Sequence, residues 1–159
     1  GMVVADFGAG TGAYSLPLAR SVGGEGRVYA IEVQKELLDK LKAEAQKQKI
    51  FNLEIIWGDL ERPGGSKLRA ESADLVLIAN LLFQTSASYL LAGEAKRVLR
   101  PDGRVAVVDW TDSFGQMGPP PDQVVSPARA IAIMAEAGLK KTGEFLAGDH
   151  HYGLLFSQD

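Results

Sequence analysis

Glycines stand at positions 8, 10 and 12, directly behind the apolar run Met2–Phe7 and ahead of a segment, Gly12–Val22, with helical apolar spacing. A strand that gives way to a helix through so bare a backbone is a strand–turn–helix unit, and its turn leaves room for a ligand against the main chain. The alternation then repeats. Arg27–Ile31, Leu53–Trp57, Ala73–Ala79 and Arg104–Asp109 are short runs rich in valine and isoleucine, as expected of parallel strands covered on both faces. Between them lie amphipathic segments. Lys35–Lys47 sets Leu37, Leu38, Leu41 and Ala45 on one stripe, and Ser88–Leu99 does the same with Leu91, Ala95, Val98 and Leu99. Pro17 falls in the early turns of the first helix, where it does least harm. Ser126–Ala137 is a further helix, with Gly138 placed to end it. "RPDGR", Arg100–Arg104, has the chemistry of a turn in which Pro101 presets φ and Gly103 permits a positive one. Lys140–Leu146 and His151–Phe156 are strands joined through "AGDH", a hairpin.

This order predicts an α/β fold with an open, mostly parallel sheet, right-handed crossovers and an antiparallel last strand. The 159 residues suffice for one domain with one core. A formal net charge of −3 argues against a nucleic-acid binder acting alone. No apolar run is long enough to span a membrane, and no basic-then-apolar leader opens the chain, so a cytoplasmic protein is expected. The absence of cysteine removes disulfides, thiolate metal sites and cysteine nucleophiles, and the only histidines, His150 and His151, leave little for a metal. The glycine- and proline-rich stretch Thr111–Val125 reads as a long loop, a feature more often functional than a linker.

In a parallel sheet the strand C-termini share one edge, and ligands bind there. Asp6 and Gly8–Gly12 follow the first strand, Glu32 ends the second, Asp59 follows the third and Asn80 the fourth; Asp109 closes the fifth and Asp149 follows the sixth. Gly8-Ala9-Gly10-Thr11-Gly12-Ala13, with Glu32 about twenty residues on, also satisfies the dinucleotide pattern, so a nicotinamide cofactor competes. Asp6 argues against it. A carboxylate beside a pyrophosphate costs about 3 kcal/mol per like-charge pair at roughly 5 Å and an effective dielectric near 20. A cationic, phosphate-free nucleoside reverses that sign.

"VADFGAGTG" resembles the glycine-rich motif of class I S-adenosylmethionine-dependent methyltransferases. The likeness extends to "YAIE", to the "GD" after the third strand and to "RVLRPDGRVAVVDW". It is strongest toward small methyltransferases related to ubiquinone- and menaquinone-biosynthesis enzymes, through "MGPPP". The resemblance implies a Rossmann-like doubly wound, seven-stranded sheet in the order 3-2-1-4-5-7-6. It implies one S-adenosylmethionine-binding domain over residues 1–159; a departure from the family pattern is that no N-terminal helical segment of the kind such domains commonly carry is read ahead of the first strand. It implies that Gly8, Gly10 and Gly12 face the methionine part of the cofactor, with Asp6 toward its ammonium and Thr11 and Tyr14 toward its carboxylate. Glu32 would hold the ribose hydroxyls and Val33 the adenine face. Asp59 would take the adenine amine, Leu60 would offer its N–H to a ring nitrogen, and the Asn80 carbonyl would cap the methionine end. The partner is a small-molecule methyl acceptor.

Relatives often carry a histidine after the fourth strand, where this chain has Leu81-Leu82-Phe83-Gln84-Thr85. Asp109, His150 and His151 are candidate bases, none of them assigned as catalytic. The 111–125 loop, with Phe114, Met117 and Pro119–Pro121, is a candidate for acceptor contact. Two other functions stay open on sequence: an NAD(P)-dependent oxidoreductase, and a non-catalytic S-adenosylmethionine-binding module.

Overall fold

A computed structural model describes residues 1–158. Strands β1 (Val3–Phe7), β2 (Arg27–Glu32), β3 (Leu53–Trp57), β4 (Ala73–Ala79), β5 (Leu99–Trp110), β6 (Leu139–Leu146) and β7 (His151–Gln158) form one sheet ordered β3-β2-β1-β4-β5-β7-β6. The first five strands run parallel, and β7 is antiparallel to both β5 and β6. Helices α1 (Ser15–Val22), α2 (Lys35–Lys47), α3 (Ser88–Val98) and α4 (Pro127–Glu136) cover it. This is the Rossmann-like, doubly wound arrangement expected from the sequence.

Alternate residues of a strand point to opposite faces, and β2 shows the consequence. Ala30 packs with Leu16 and Leu41 of α1 and α2, while Ile31 packs with Phe7, Ile78 and Leu91 on the α3 side. All of these except Leu16, itself buried, are essentially inaccessible to solvent. Each such leucine or isoleucine is worth about 1.5–3 kcal/mol of transfer free energy. The outer strands differ from the expectation of two covered faces. β3 has one neighbour and is half-buried, and β6 is an edge strand exposing Lys140 and Lys141. Lysine on an edge discourages pairing with other chains.

Two sequence expectations are corrected. The first helix begins at Ser15 rather than Gly12, because Gly12 to Tyr14 complete the glycine turn. "RPDGR" is not a free turn but a bulge inside β5. Leu99 pairs with Ala73 and Arg104 with Leu75, so Arg100–Gly103 stand opposite Asp74 alone. Asp74 Oδ2 accepts the Val3 N–H at 2.7 Å and Oδ1 pairs with the Arg100 guanidinium. Gly103 is absent from the positive-φ glycines; its role is space, since a Cβ there would sit 2.7 Å from Leu99 Cδ1 and 3.0 Å from the Asp74 carbonyl oxygen. Gly138, as expected, ends α4 with φ +79°. Among the described residues no helix is long and apolar enough to cross a membrane.

Candidate functional site

The parallel sheet aims the C-termini of β1, β2, β3 and β4 at one cavity of about 320 Å³, a size suited to a small-molecule ligand. The glycine turn forms its floor. The N–H groups of Gly8 and Ala9 both donate to the Ile31 carbonyl, at 2.9 and 3.0 Å, so the turn is tied to the end of β2. Gly10 has φ +57°, and a Cβ there would meet nothing within 4 Å, so the backbone lies open to the cavity. Gly12 faces the other way: a Cβ would fall 2.3 Å from Leu41 Cδ1, and its φ is +92°. It is required for helix–sheet packing rather than for ligand approach.

Glu32 organises the centre. Its Oε2 accepts the Gly10 N–H at 2.9 Å, and Oε1 accepts those of Val33 and Gln34 at 2.9 and 3.0 Å. The turn, the end of β2 and the approach to α2 are thereby clamped by one carboxylate that is 7% exposed. A carboxylate has about four acceptor positions, so Oε2 keeps room for one further donor before these internal bonds must be shared.

Past β3 the chain folds back tightly. Asp59 Oδ1 accepts the Glu61 N–H at 3.1 Å, and Oδ2 meets Arg62 Nε at 3.0 Å. Leu60 is buried below it. The loop is held to α3 by Glu94, which accepts from the Ser66 N–H, the Gly64 N–H and the Arg97 guanidinium. Burial pushes the Glu94 carboxyl up, but the bonds from Arg97 and Ser66 outweigh it and hold it below the usual range. Glu61 reaches across the rim to the start of α3, where Oε1 accepts the Thr85 hydroxyl at 2.5 Å and the Ser86 and Ala87 N–H groups at 2.6 and 3.1 Å. These bonds, the Thr85 hydroxyl foremost, lower its carboxyl pKa.

The cavity wall brings together Gly8, Gly10, Glu32, Val33, Asp59, Leu60 and Asn80 of the sequence-derived set. It also includes Leu81, Gln84 and Thr85, from the segment after β4 where relatives often carry a histidine, and Leu37 and Leu91, read from sequence only as helix-stripe residues. Gln34 and Glu61 were not singled out from sequence. Asn80, at φ +53°, turns the chain out of β4; its carbonyl accepts the Gln84 amide at 2.8 Å, and its buried Oδ1 has no partner.

Asp6, Thr11, Gly12 and Tyr14 lie outside this wall. Asp6 is 1% exposed, takes the Ser15 hydroxyl at 2.5 Å and is pushed up to about 6 by burial, against the pull of that hydrogen bond and with the charge of Glu32 adding to the rise. Thr11 and Gly12 line a shallow depression beside α1. Asp109 faces inward. It is fully buried, its oxygens accept the Leu82 and Trp110 N–H groups, and burial raises it to about 6. With no exposed surface, Asp109 is not open to an acceptor in this structure.

The methyltransferase domain family model matches residues 1–150. The chain belongs to this methyltransferase family. It is 29% identical over 124 residues to the arsenite methyltransferase of Halobacterium salinarum, covering 78% of this chain and 30% of that protein. It is 29% identical over 109 residues to the demethylmenaquinone methyltransferase of Lactococcus lactis, covering 69% of this chain and 42% of that protein. The chain therefore spans less than half the length of these two relatives. A SAM-dependent methyltransferase from Aquifex aeolicus superposes with a TM-score of 0.88 at 28% identity, over 98% of this chain and 81% of that one.

Proposed function

We propose that the cavity binds S-adenosylmethionine and that the domain transfers its methyl group to a small organic acceptor. The observation that carries this reading is the charge of the wall. Glu32, Asp59 and Glu61 line it, and no lysine or arginine does among the described residues. A pyrophosphate would face three carboxylates, of which only Asp59 has a cationic partner, Arg62, and this weighs against the nicotinamide alternative. A ligand bearing an ammonium and a sulfonium is attracted instead. The cradle fits in shape as well: Gly10 is open to the cavity, and the buried Asn80 Oδ1 lacks a hydrogen-bond donor.

On this reading Gly8 and Gly10 let the backbone approach the methionine part, Glu32 Oε2 takes a ribose hydroxyl, and Val33, 48% exposed, lies against the adenine. Asp59 and the Leu60 N–H read the adenine edge. Asn80 contributes its free Oδ1 beside a carbonyl that already accepts the Gln84 amide. When bound, S-adenosylmethionine supplies an activated methyl group. The chain's own task is then orientation and exclusion of water, and proximity of this kind can be worth about 7–11 kcal/mol.

The relatives act on unlike acceptors. One is an arsenite methyltransferase and the other a demethylmenaquinone methyltransferase, and the acceptor we propose for this chain is a small organic molecule. Calorimetric titration with S-adenosylhomocysteine tests the cofactor assignment. Micromolar binding is expected, with at least a tenfold loss in Glu32→Ala; absence of heat for both S-adenosylmethionine and S-adenosylhomocysteine would overturn it.

A further inference from the structure

The chain has two tryptophans, and the fold treats them differently. Trp110 is 9% exposed and packs at 4.1 Å, centroid to centroid, on the His151 ring. Trp57 is 42% exposed, so burial of its rings is not what places it. Its one polar group has a definite target. The indole Nε1–H donates to the Val33 carbonyl at 2.8 Å, and Val33 is a wall residue of the cavity.

The position of Val33 explains why such a bond is needed. Glu32 and Trp57 form the last rung of the β2–β3 ladder, and the Glu32 carbonyl takes the Gly58 N–H at 3.2 Å. Val33 is therefore the first residue beyond the sheet, where no ladder bond holds the backbone. Two side chains replace the ladder. Glu32 Oε1 accepts the Val33 N–H at 2.9 Å, and Trp57 satisfies the carbonyl. The indole is steadied in turn from the loop after β3: Lys67 Nζ lies 4.6 Å from the ring centroid, a cation–π contact. The Lys67 N–H donates to the Gly64 carbonyl at 3.0 Å, and the neighbouring Ser66 N–H is bound by Glu94 of α3. A half-exposed valine is thus fixed at both ends of its backbone, with its side chain left free to face a ligand.

We propose that Trp57 is a positioning residue for the base of the bound nucleoside: through the Val33 carbonyl its indole N–H holds the valine side chain in contact with the purine face. This rests on the S-adenosylmethionine reading above. Trp57 itself does not line the cavity, so it acts through Val33. Dispersion against a flat ring is sensitive to distance, and a gap of roughly 0.5–1 Å forfeits a quarter to a half of the attraction. Without the indole N–H the Val33 carbonyl turns to water, its peptide is free to rotate, and that gap opens.

A double-mutant cycle read by calorimetry tests this, with S-adenosylhomocysteine and adenosine as probes. Trp57→Phe removes the N–H and keeps an aromatic ring. Replacing Trp57 by 3-benzothienylalanine keeps the bicyclic shape and puts sulfur where the N–H was, so it serves even if the smaller phenyl ring destabilises the fold. Each should weaken S-adenosylhomocysteine by about three- to tenfold, the worth of one hydrogen bond, and adenosine by the same factor. In a Val33→Ala background the Trp57→Phe change should cost less than about twofold, because the contact it positions is already gone. Folded Trp57 variants that bind both probes within twofold of wild type overturn the proposal. So does a loss that is the same with and without the Val33 side chain, which would make Trp57 a general support of the fold. Failure of the wild type to bind S-adenosylhomocysteine would instead remove the cofactor reading beneath it.

Discussion

At the scale of single residues the carboxylates of the site do different work according to what surrounds them. Glu32 accepts three backbone N–H groups and keeps one acceptor position, and Glu61 caps a helix from the rim. Asp6 is sealed behind the turn with one hydroxyl for company. Its pKa of about 6 against an ordinary 3.8 means that the folded protein keeps a proton that the unfolded chain releases. That contribution to stability is full below about pH 4 and is lost as the pH rises through 6. Asp6→Asn keeps a neutral, similarly shaped group. It should therefore raise stability at pH 7.5 by up to about 3 kcal/mol and leave it nearly unchanged at pH 4, as read from urea midpoints. Equal gains at both pH values would contradict the shift. The same proton is linked to ligand charge. A cationic ligand favours ionised Asp6, so S-adenosylmethionine, which is cationic through its sulfonium, should bind wild type severalfold more tightly at pH 7 than at pH 5. Asp6→Asn should flatten that dependence in calorimetry.

At the scale of elements, local pattern and tertiary context divide the work. The seven strands and four helices were legible because alternation and helical periodicity are local properties, and Lys35–Lys47 was read to the residue. "RPDGR" was misread because what decides it is non-local: Asp74, on the neighbouring strand, spends its side chain on Val3 and Arg100 and leaves four residues of β5 to bulge. The cavity was half legible for the same reason. Gly10, Glu32 and Asp59 follow strands and could be placed by topology. Gln84, Thr85 and Glu61 enter the wall only because the loops after β3 and β4 are laced together across the rim. No sequence spacing announces that lacing, nor the inward turn of Asp109 toward the Leu82 N–H. The bulge makes its own prediction. Gly103→Ala places a methyl 2.7 Å from Leu99 Cδ1 and 3.0 Å from the Asp74 carbonyl oxygen. Overpacking of this kind costs about 1–3 kcal/mol. It should lower the urea midpoint without changing the slope, and S-adenosylhomocysteine affinity should persist, because the bulge lies at the end of the sheet remote from the cavity.

At the scale of the whole molecule, the sheet gathers the ends of β1 to β4 around the cavity and sets β5 and β7 beside it as a second, aromatic-walled edge. The net charge of −3 is therefore less informative than its placement, with three carboxylates and no basic side chain on the cavity wall. That placement has a thermodynamic consequence for the entire fold. A ligand that binds only the native state adds RT ln(1 + [L]/Kd), about 2.7 kcal/mol at one hundred times Kd. In a domain of this size each kilocalorie shifts the melting temperature by about 2–4 °C. S-adenosylhomocysteine at that excess should accordingly raise the melting temperature by about 5–11 °C. NADH at the same concentration should leave it within about 1 °C, because its two phosphates meet Glu32, Asp59 and Glu61 with no basic residue on the wall to offset them. Differential scanning calorimetry with the two ligands side by side decides between them: stabilisation by NADH alone would mean that the carboxylate-lined cavity is not the nucleoside site, and stabilisation by S-adenosylhomocysteine that vanishes in Glu32→Ala places the ligand at the clamp joining the glycine turn to α2.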